Sequence, residues 1–207
     1  TPTNSMSRRW LIFAISSSLF FISQFYRVSN AVIAPILIQD LSLDTEGLGL
    51  ISASFFYAFA LTQIPISLFL YKIGPSNLMT ALSAIGILGA VVFSWADSLM
   101  LGVTGRVLLG AGMACNLMGT FKLLTLWFSP RKFATLMGVV IAIGTVGNMV
   151  ATTPLVVLVE NIGWRAGFQL IAAINLFLTL VFYVVVCDPP ANSPDNQDRR
   201  SSMSLHD

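Results

Sequence analysis

The chain has 207 residues, of which 56% are hydrophobic and only 10% are Asp, Glu, Lys or Arg, with a formal net charge of +2. Soluble domains carry about 25% charged residues, so this composition cannot cover a water-facing surface and suits a lipid bilayer instead. A soluble enzyme, a single-pass anchor and a nucleic-acid binder are excluded, the last because so small and scattered a charge leaves no polyanion footprint.

Six apolar runs follow in chain order, at 10–38, 47–71, 78–96, 100–127, 133–159 and 165–187. Each meets or approaches the ~20 residues that cross about 30 Å of hydrocarbon, and together they take up nearly three quarters of the chain. Lipid offers no partner to a backbone amide, so each run is expected to be a helix with its bonds made internally. The first run holds an arginine and is followed by no small-residue cleavage site, so it reads as a span and not a signal peptide. The expected organisation is a tail over 1–9, a six-helix transmembrane domain over 10–187 and a polar, proline-bearing, disordered tail over 188–207.

Basic residues flanking spans stay on the cytoplasmic side. Arg8, Arg9, Lys72, Arg131, Lys132, Arg199 and Arg200 fall on one side, while Asp40, Asp44, Glu46, Asp97 and Glu160 fall on the other with Arg165. Both termini are therefore expected to be cytoplasmic, in a cell (inner) membrane. Cys115 and Cys187 lie in spans and His206 is the next-to-last residue. No His-based dyad, metal cage or cofactor site is expected, and a Gly-x-Ser-x-Gly nucleophile with a histidine in another span is absent, so no enzyme is expected.

Gly102, Gly105, Gly110 and Gly112 in span 4, and Gly138, Gly144 and Gly147 in span 5, read either as close-packing positions or as points where a helix slides. Spans 1 and 4 each hold an arginine, Arg27 and Arg106, and spans 2 and 5 each hold a proline, Pro65 and Pro154. That pairing suggests an inverted repeat of three plus three spans.

A basic side chain near a helix centre costs about 2.5–3.5 kcal/mol on insertion scales, so a retained one faces a cavity, a partner or an interface. Arg27 is the costliest, seventeen residues past Trp10 and eleven before Ile38, too deep to snorkel. Gln24 and Asn30 stand three residues to either side, on or near its face, with Tyr26 adjacent. No Asp or Glu occurs within the six runs, so Arg27 is read as a cation prepared for an anionic ligand, its fork matching carboxylate or phosphate. The competing reading is an arginine satisfied by carbonyls and amides. Arg106 either lines a cavity or caps carbonyls of a neighbouring helix, and Lys122 snorkels toward the near end of span 4. Tyr57, Gln63, Asn116 and Asn148 are secondary candidates for hydrogen bonds between helices or to a ligand.

The run Phe25-Tyr26-Arg27-Val28-Ser29 followed by Pro35, with Gln63-Ile64-Pro65, Gly74-Pro75, Gly105-Arg106 and Gly110, Trp127-Phe128-Ser129-Pro130, and Gly163-Trp164-Arg165 with Phe168, resembles the major facilitator superfamily. Within it the run is most similar to the branch of organophosphate/phosphate antiporters and hexose-phosphate sensor-transporters. The resemblance implies an all-α membrane fold, one six-helix half of a twelve-helix transporter that alternates access around a central site. It implies that Arg27 grips an anionic substrate and that Arg106, with Gly110, serves conformational or proton coupling. The superfamily's signature between spans 2 and 3 is reduced to Lys72 and Gly74, with Ser67, Tyr71, Pro75 and Ser76 in its other key places.

The expected function is therefore movement of a small organic or phosphorylated anion, with Gln24, Tyr26, Arg27, Asn30 and Tyr57 as substrate residues and Lys72, Arg106, Gly110 and Lys122 as coupling residues. The expected partners are the lipid bilayer, the anion, and a second six-helix half supplied by homodimerisation or a separate chain. With no buried Asp, Glu or His to relay protons, exchange or facilitated passage fits better than proton symport. A membrane sensor of such an anion, and an inactive truncated transporter, are the alternatives.

Overall fold

A computed structural model describes residues 2–186, with side chains from Arg8 onward. Its helices are α1 (Pro2–Asp40), α2 (Thr45–Ile73), α3 (Pro75–Ser94), α4 (Leu99–Met113), α5 (Asn116–Trp127), α6 (Pro130–Val150), α7 (Thr153–Ile162) and α8 (Trp164–Val185). Six segments are long and apolar enough to cross a membrane: Arg8–Asp40, Thr45–Ile73, Pro75–Ser94, Leu99–Trp127, Pro130–Val150 and Trp164–Val185. No strand occurs among the described residues. The sequence expectations for Cys187, Arg199, Arg200, His206 and the 188–207 tail lie outside the described residues.

Two spans are not the single helices expected. Span 4 is interrupted at Ala114 and Cys115, between α4 and α5, and span 5 at Ala151 and Thr152, between α6 and α7. In span 5 the cause is Pro154 in the first turn of α7, which lacks an amide hydrogen and biases the residue before it away from helix. In span 4 no proline is present, and hydrogen bonds to α1 engage both sides of the interruption, Ser23 Oγ donating to the Met113 carbonyl and Asn116 Nδ2 to the Leu19 carbonyl. Pro35 and Pro65 lie inside α1 and α2 without ending them.

The interval of 89 residues between Pro65 and Pro154 also separates Gly74 from Gly163. Gly74 joins α2 to α3 with φ 89 and ψ 151, and Gly163 joins α7 to α8 with φ 82 and ψ 156. This left-handed turn favours a residue without Cβ, and it recurs at equivalent points of the two repeats. Packing repeats too: α4 lies against α2 and α3, while α1 lies against α6 and α8. The molecule is thus a three-plus-three inverted repeat in which spans 2, 3 and 4 form one packed body and spans 1, 5 and 6 the other, with α3 packed on α8 between the two.

Glycines make each body tight. A Cβ at Gly105 would stand 2.7 Å from the Phe93 backbone, one at Gly112 would collide with Gly86, and one at Gly147 would stand 2.6 Å from the Phe21 carbonyl. Close backbone approach of this kind gives helix association its van der Waals contact in lipid. Gly138 has open space around its Cβ position, so packing does not explain it.

The end of the bundle bearing Asp40, Asp44 and Glu46 is closed by a polar staple. Asp40 Oδ2 accepts from Trp164 Nε1 and from Arg165 Nη1, both at 2.8 Å, and Arg165 Nη2 donates to the Ala96 carbonyl at 3.0 Å. Beneath it, Phe93, Trp164 and Phe168 pack edge-on or tilted, and Phe168 meets Tyr26. The staple joins the end of α1, the α3–α4 connection and the start of α8.

Candidate anion site

The two span arginines occupy opposite environments, and this reverses the sequence expectation that Arg27 is the buried charge. Arg27 is exposed on the open side of α1, its guanidinium 5.5 Å from the centroid of Phe56 on α2. Among the described residues it makes no hydrogen bond and no ion pair. A guanidinium over a ring face keeps its N–H edge free while the quadrupole steadies the charge, so the fork remains available to an oxyanion.

Arg106 is fully buried. Its Nη1 donates to the Tyr26 carbonyl at 3.1 Å, its guanidinium stands 4.6 Å from the Phe55 centroid and 5.7 Å from that of Phe93, and Nε and Nη2 have no partner. Of the two readings the sequence left open, the structure takes carbonyl capping. The spacing of residues along α4 could not reveal this, because the acceptor is a backbone oxygen eighty residues away.

The other expected substrate residues divide. Gln24 is half-buried one turn before Arg27. Asn30, one turn after it, is buried, and its Nδ2 donates to Ser52 Oγ on α2 at 2.7 Å while its Oδ1 is unpartnered. Tyr57 is 70% exposed beside Phe56 in sequence. Tyr26 is fully buried against Phe25 and Phe168, so its side chain is turned from Arg27. The helical step of about 100° between neighbours separates them. Its carbonyl, which accepts from Arg106 and from Ser29 Oγ, is the part that touches the site's framework.

Among the coupling residues, Lys72 is exposed at the end of α2. Lys122 is half-buried with its ammonium 4.5 Å from the Tyr71 centroid, so it bridges α5 to α2. Gly110 packs against the Phe55 backbone, where a Cβ would collide with the carbonyl oxygen. Sequence reasoning missed Phe56 and Ser52. Phe56 is one of fifteen phenylalanines and carries no distinguishing signal, whereas Ser52 was detectable as a hydroxyl in an apolar run.

Spans 1 and 4 meet along a seam of side-chain to carbonyl bonds. Thr120 Oγ1 donates to the Ser16 carbonyl at 3.3 Å, Asn116 Nδ2 to Leu19 at 3.2 Å and Arg106 to Tyr26, while Ser23 Oγ donates in return to Met113 at 3.2 Å. The span 1 positions 16, 19, 23 and 26 share one helical face. Met113 and Asn116 flank the interruption in span 4, so the seam engages the place where that helix has given up its own bonds.

The geometry offers an exposed cation between α1 and α2, set on a buried polar framework, with no carboxylate among the described residues to neutralise it. The chain is 27% identical to the probable sulfoacetate transporter SauU of Cupriavidus necator over 199 residues, covering 96% of this chain and 45% of that protein. It is 23% identical to the uncharacterized transporter YybO of Bacillus subtilis over 198 residues, covering 96% and 46%. The fold is similar to crystal structures of a bacterial homolog of the human lysosomal transporter Spinster. The inward-facing unoccupied form gives a TM-score of 0.80 at 19% identity, covering 90% of this chain and 44% of that one. The occupied form gives 0.81 at 20% identity, covering 90% and 46%. The chain thus spans about half the length of the relatives it matches. Residues 13–205 match the model of the Major Facilitator Superfamily, and the chain, a multi-pass membrane protein with six membrane-length segments, belongs to that family.

Proposed function

We propose that the chain is one six-helix half of a transporter that moves a small organic anion by alternating access, with Arg27 as the anion-binding residue. The observation that carries this reading is the exposed Arg27 guanidinium over Phe56, without a carboxylate or hydrogen-bond partner among the described residues. A guanidinium binds sulfonate, carboxylate or phosphate through paired N–H groups. Sulfoacetate, the substrate in the name of the C. necator relative, carries two such groups and is the first anion to try. The phosphorylated compounds implied by the organophosphate branch are the second. A second six-helix unit, another copy or a separate chain, completes the site, and exchange or facilitated passage is the mode.

Uptake of labelled sulfoacetate into proteoliposomes tests the proposal. The parent chain, with its second half present, takes up the anion and Arg27→Ala falls to background. Normal uptake by Arg27→Ala removes Arg27 from the site. A sensor of the same anion is the second reading, favoured by Tyr71 and Ser76 standing where the family's α2–α3 signature has an acid and a base. Binding without flux in the same vesicles selects it.

A further inference from the structure

Among the described residues, each close glycine contact lies inside one of the two packed bodies and none lies between them. Gly86, Gly89, Gly105, Gly110, Gly112 and Gly119 meet partners in spans 2, 3 and 4, while Gly144 and Gly147 meet Phe20 and Phe21 of span 1. The closest approaches at glycine therefore lie within the bodies. The joint between the bodies includes the staple at Asp40, the Asn30–Ser52 bond, the aromatic cluster, the packing of α3 on α8 with Ser76 Oγ donating to the Val186 carbonyl at 2.7 Å, and the seam between spans 1 and 4.

The candidate anion site lies across the same joint. Arg27 and Asn30 belong to the body of spans 1, 5 and 6, whereas Phe56 and Ser52 belong to the body of spans 2, 3 and 4. A slip of one body against the other changes the distance from guanidinium to ring without disturbing either interior. We propose that the seam sets where Arg27 stands, and that Asn116 and Thr120 are positioning residues for the anion site. They act through the span 1 backbone: Asn116 Nδ2 holds the Leu19 carbonyl, and Thr120 Oγ1 shares its one proton between the Asn116 carbonyl at 2.6 Å and the Ser16 carbonyl at 3.3 Å. Both lie in α5, just past the interruption in span 4, so a donor on this short helix is fixed by its own first turns and not by the length of α4.

The inference rests on the proposed anion-binding role of Arg27, and its test separates the two. Spin labels are placed on Cys residues at Glu46→Cys in α2 and Asn161→Cys in α7, both exposed and in different bodies, in the full chain with Cys187→Ser. Dipolar distances and sulfoacetate binding are measured for the parent, Asn116→Leu/Thr120→Val and Asn116→Gln. Each interhelical bond in a membrane is worth about threefold in an equilibrium constant, so the double variant is expected to widen or shift the 46–161 distance distribution and weaken binding about tenfold. Asn116→Gln, which keeps the donor, stays near the parent in both. An unchanged distance distribution overturns the seam as the joint, and a changed distribution with unchanged affinity overturns the positioning role. Where Arg27→Ala binds sulfoacetate like the parent, the anion-site reading fails, and the distance arm still decides the seam. Thr120→Val alone, which removes a hydroxyl at constant shape, carries the same measurements with an expected threefold change if the double variant does not fold.

Discussion

Arg106 Nη1 donates to the carbonyl of Tyr26 at 3.1 Å, so the fully buried cation of span 4 grips the backbone of span 1 one residue before the exposed cation, Arg27. The two arginines therefore divide the work of charge in this bundle. One secures the framework, and the other is left free.

Arg27 and Arg106 should respond differently to removal of their charge. Arg27→Ala is expected to leave stability within about 0.5 kcal/mol, as for exposed positions without a structural bond. Arg27→Lys retains the charge but loses the fork, and is expected to raise the KM for sulfoacetate about tenfold or more. Melting in detergent together with uptake kinetics checks both.

Arg106→Met is expected to fold and to melt no lower than the parent. Exchanging a buried charge for an apolar side chain of similar size is often neutral or stabilising by about 1–4 kcal/mol, and here Nε and Nη2 are unpartnered. Uptake should nevertheless fall, because the Tyr26 carbonyl loses its tie to span 4. A fall of many degrees in melting temperature would show that the rings of Phe55 and Phe93 make the charge indispensable.

Two glycine substitutions should have opposite signs. Gly110→Ala drives a Cβ into the Phe55 carbonyl oxygen, and overpacking of that kind costs about 1–3 kcal/mol. Gly138→Ala meets nothing within 4 Å and should gain about 0.5–1 kcal/mol from helix propensity. Yield of folded protein and melting temperature, measured side by side, give the order Gly138→Ala above parent above Gly110→Ala.

At the stapled end, Asp40→Ala is expected to destabilise more than Asp40→Asn. The Arg165–Asp40 pair is about two-fifths exposed on each side and solvent-screened, worth about 0–1 kcal/mol. Asparagine keeps an oxygen for Trp164 Nε1, whereas alanine leaves that donor without its acceptor. Tryptophan emission should shift to the red in Asp40→Ala and change little in Asp40→Asn.

A double-mutant cycle on Lys122→Met and Tyr71→Leu should return a coupling of about 0.5–1 kcal/mol, the value of a cation–π contact near a surface. Zero coupling would mean that the ammonium reaches past the ring to the membrane surface, as a snorkelling lysine does.

Composition and run length were enough to establish membrane residence and the six apolar helical spans seen among the described residues, because a bilayer leaves the backbone few choices. The repeat was half legible: the arginine and proline pairs suggested it, but the matching left-handed turns at Gly74 and Gly163 were needed to fix the register. Arg27 and its neighbours stood out as candidates because a charge in an apolar run is conspicuous. The sequence ranked Arg27 above Arg106 as the buried charge and the structure reversed that order, since depth along a helix is written in the residue number while the direction a side chain faces depends on which helices surround it. The sequence could not show the breaks at Ala114–Cys115 and Ala151–Thr152, the seam or the ring beneath Arg27. These depend on carbonyls and rings contributed by distant spans, and only packing brings them within bonding distance. Composition made charge in lipid unavoidable, and the packing of distant spans left Arg106 held by the Tyr26 carbonyl and Arg27 exposed over Phe56.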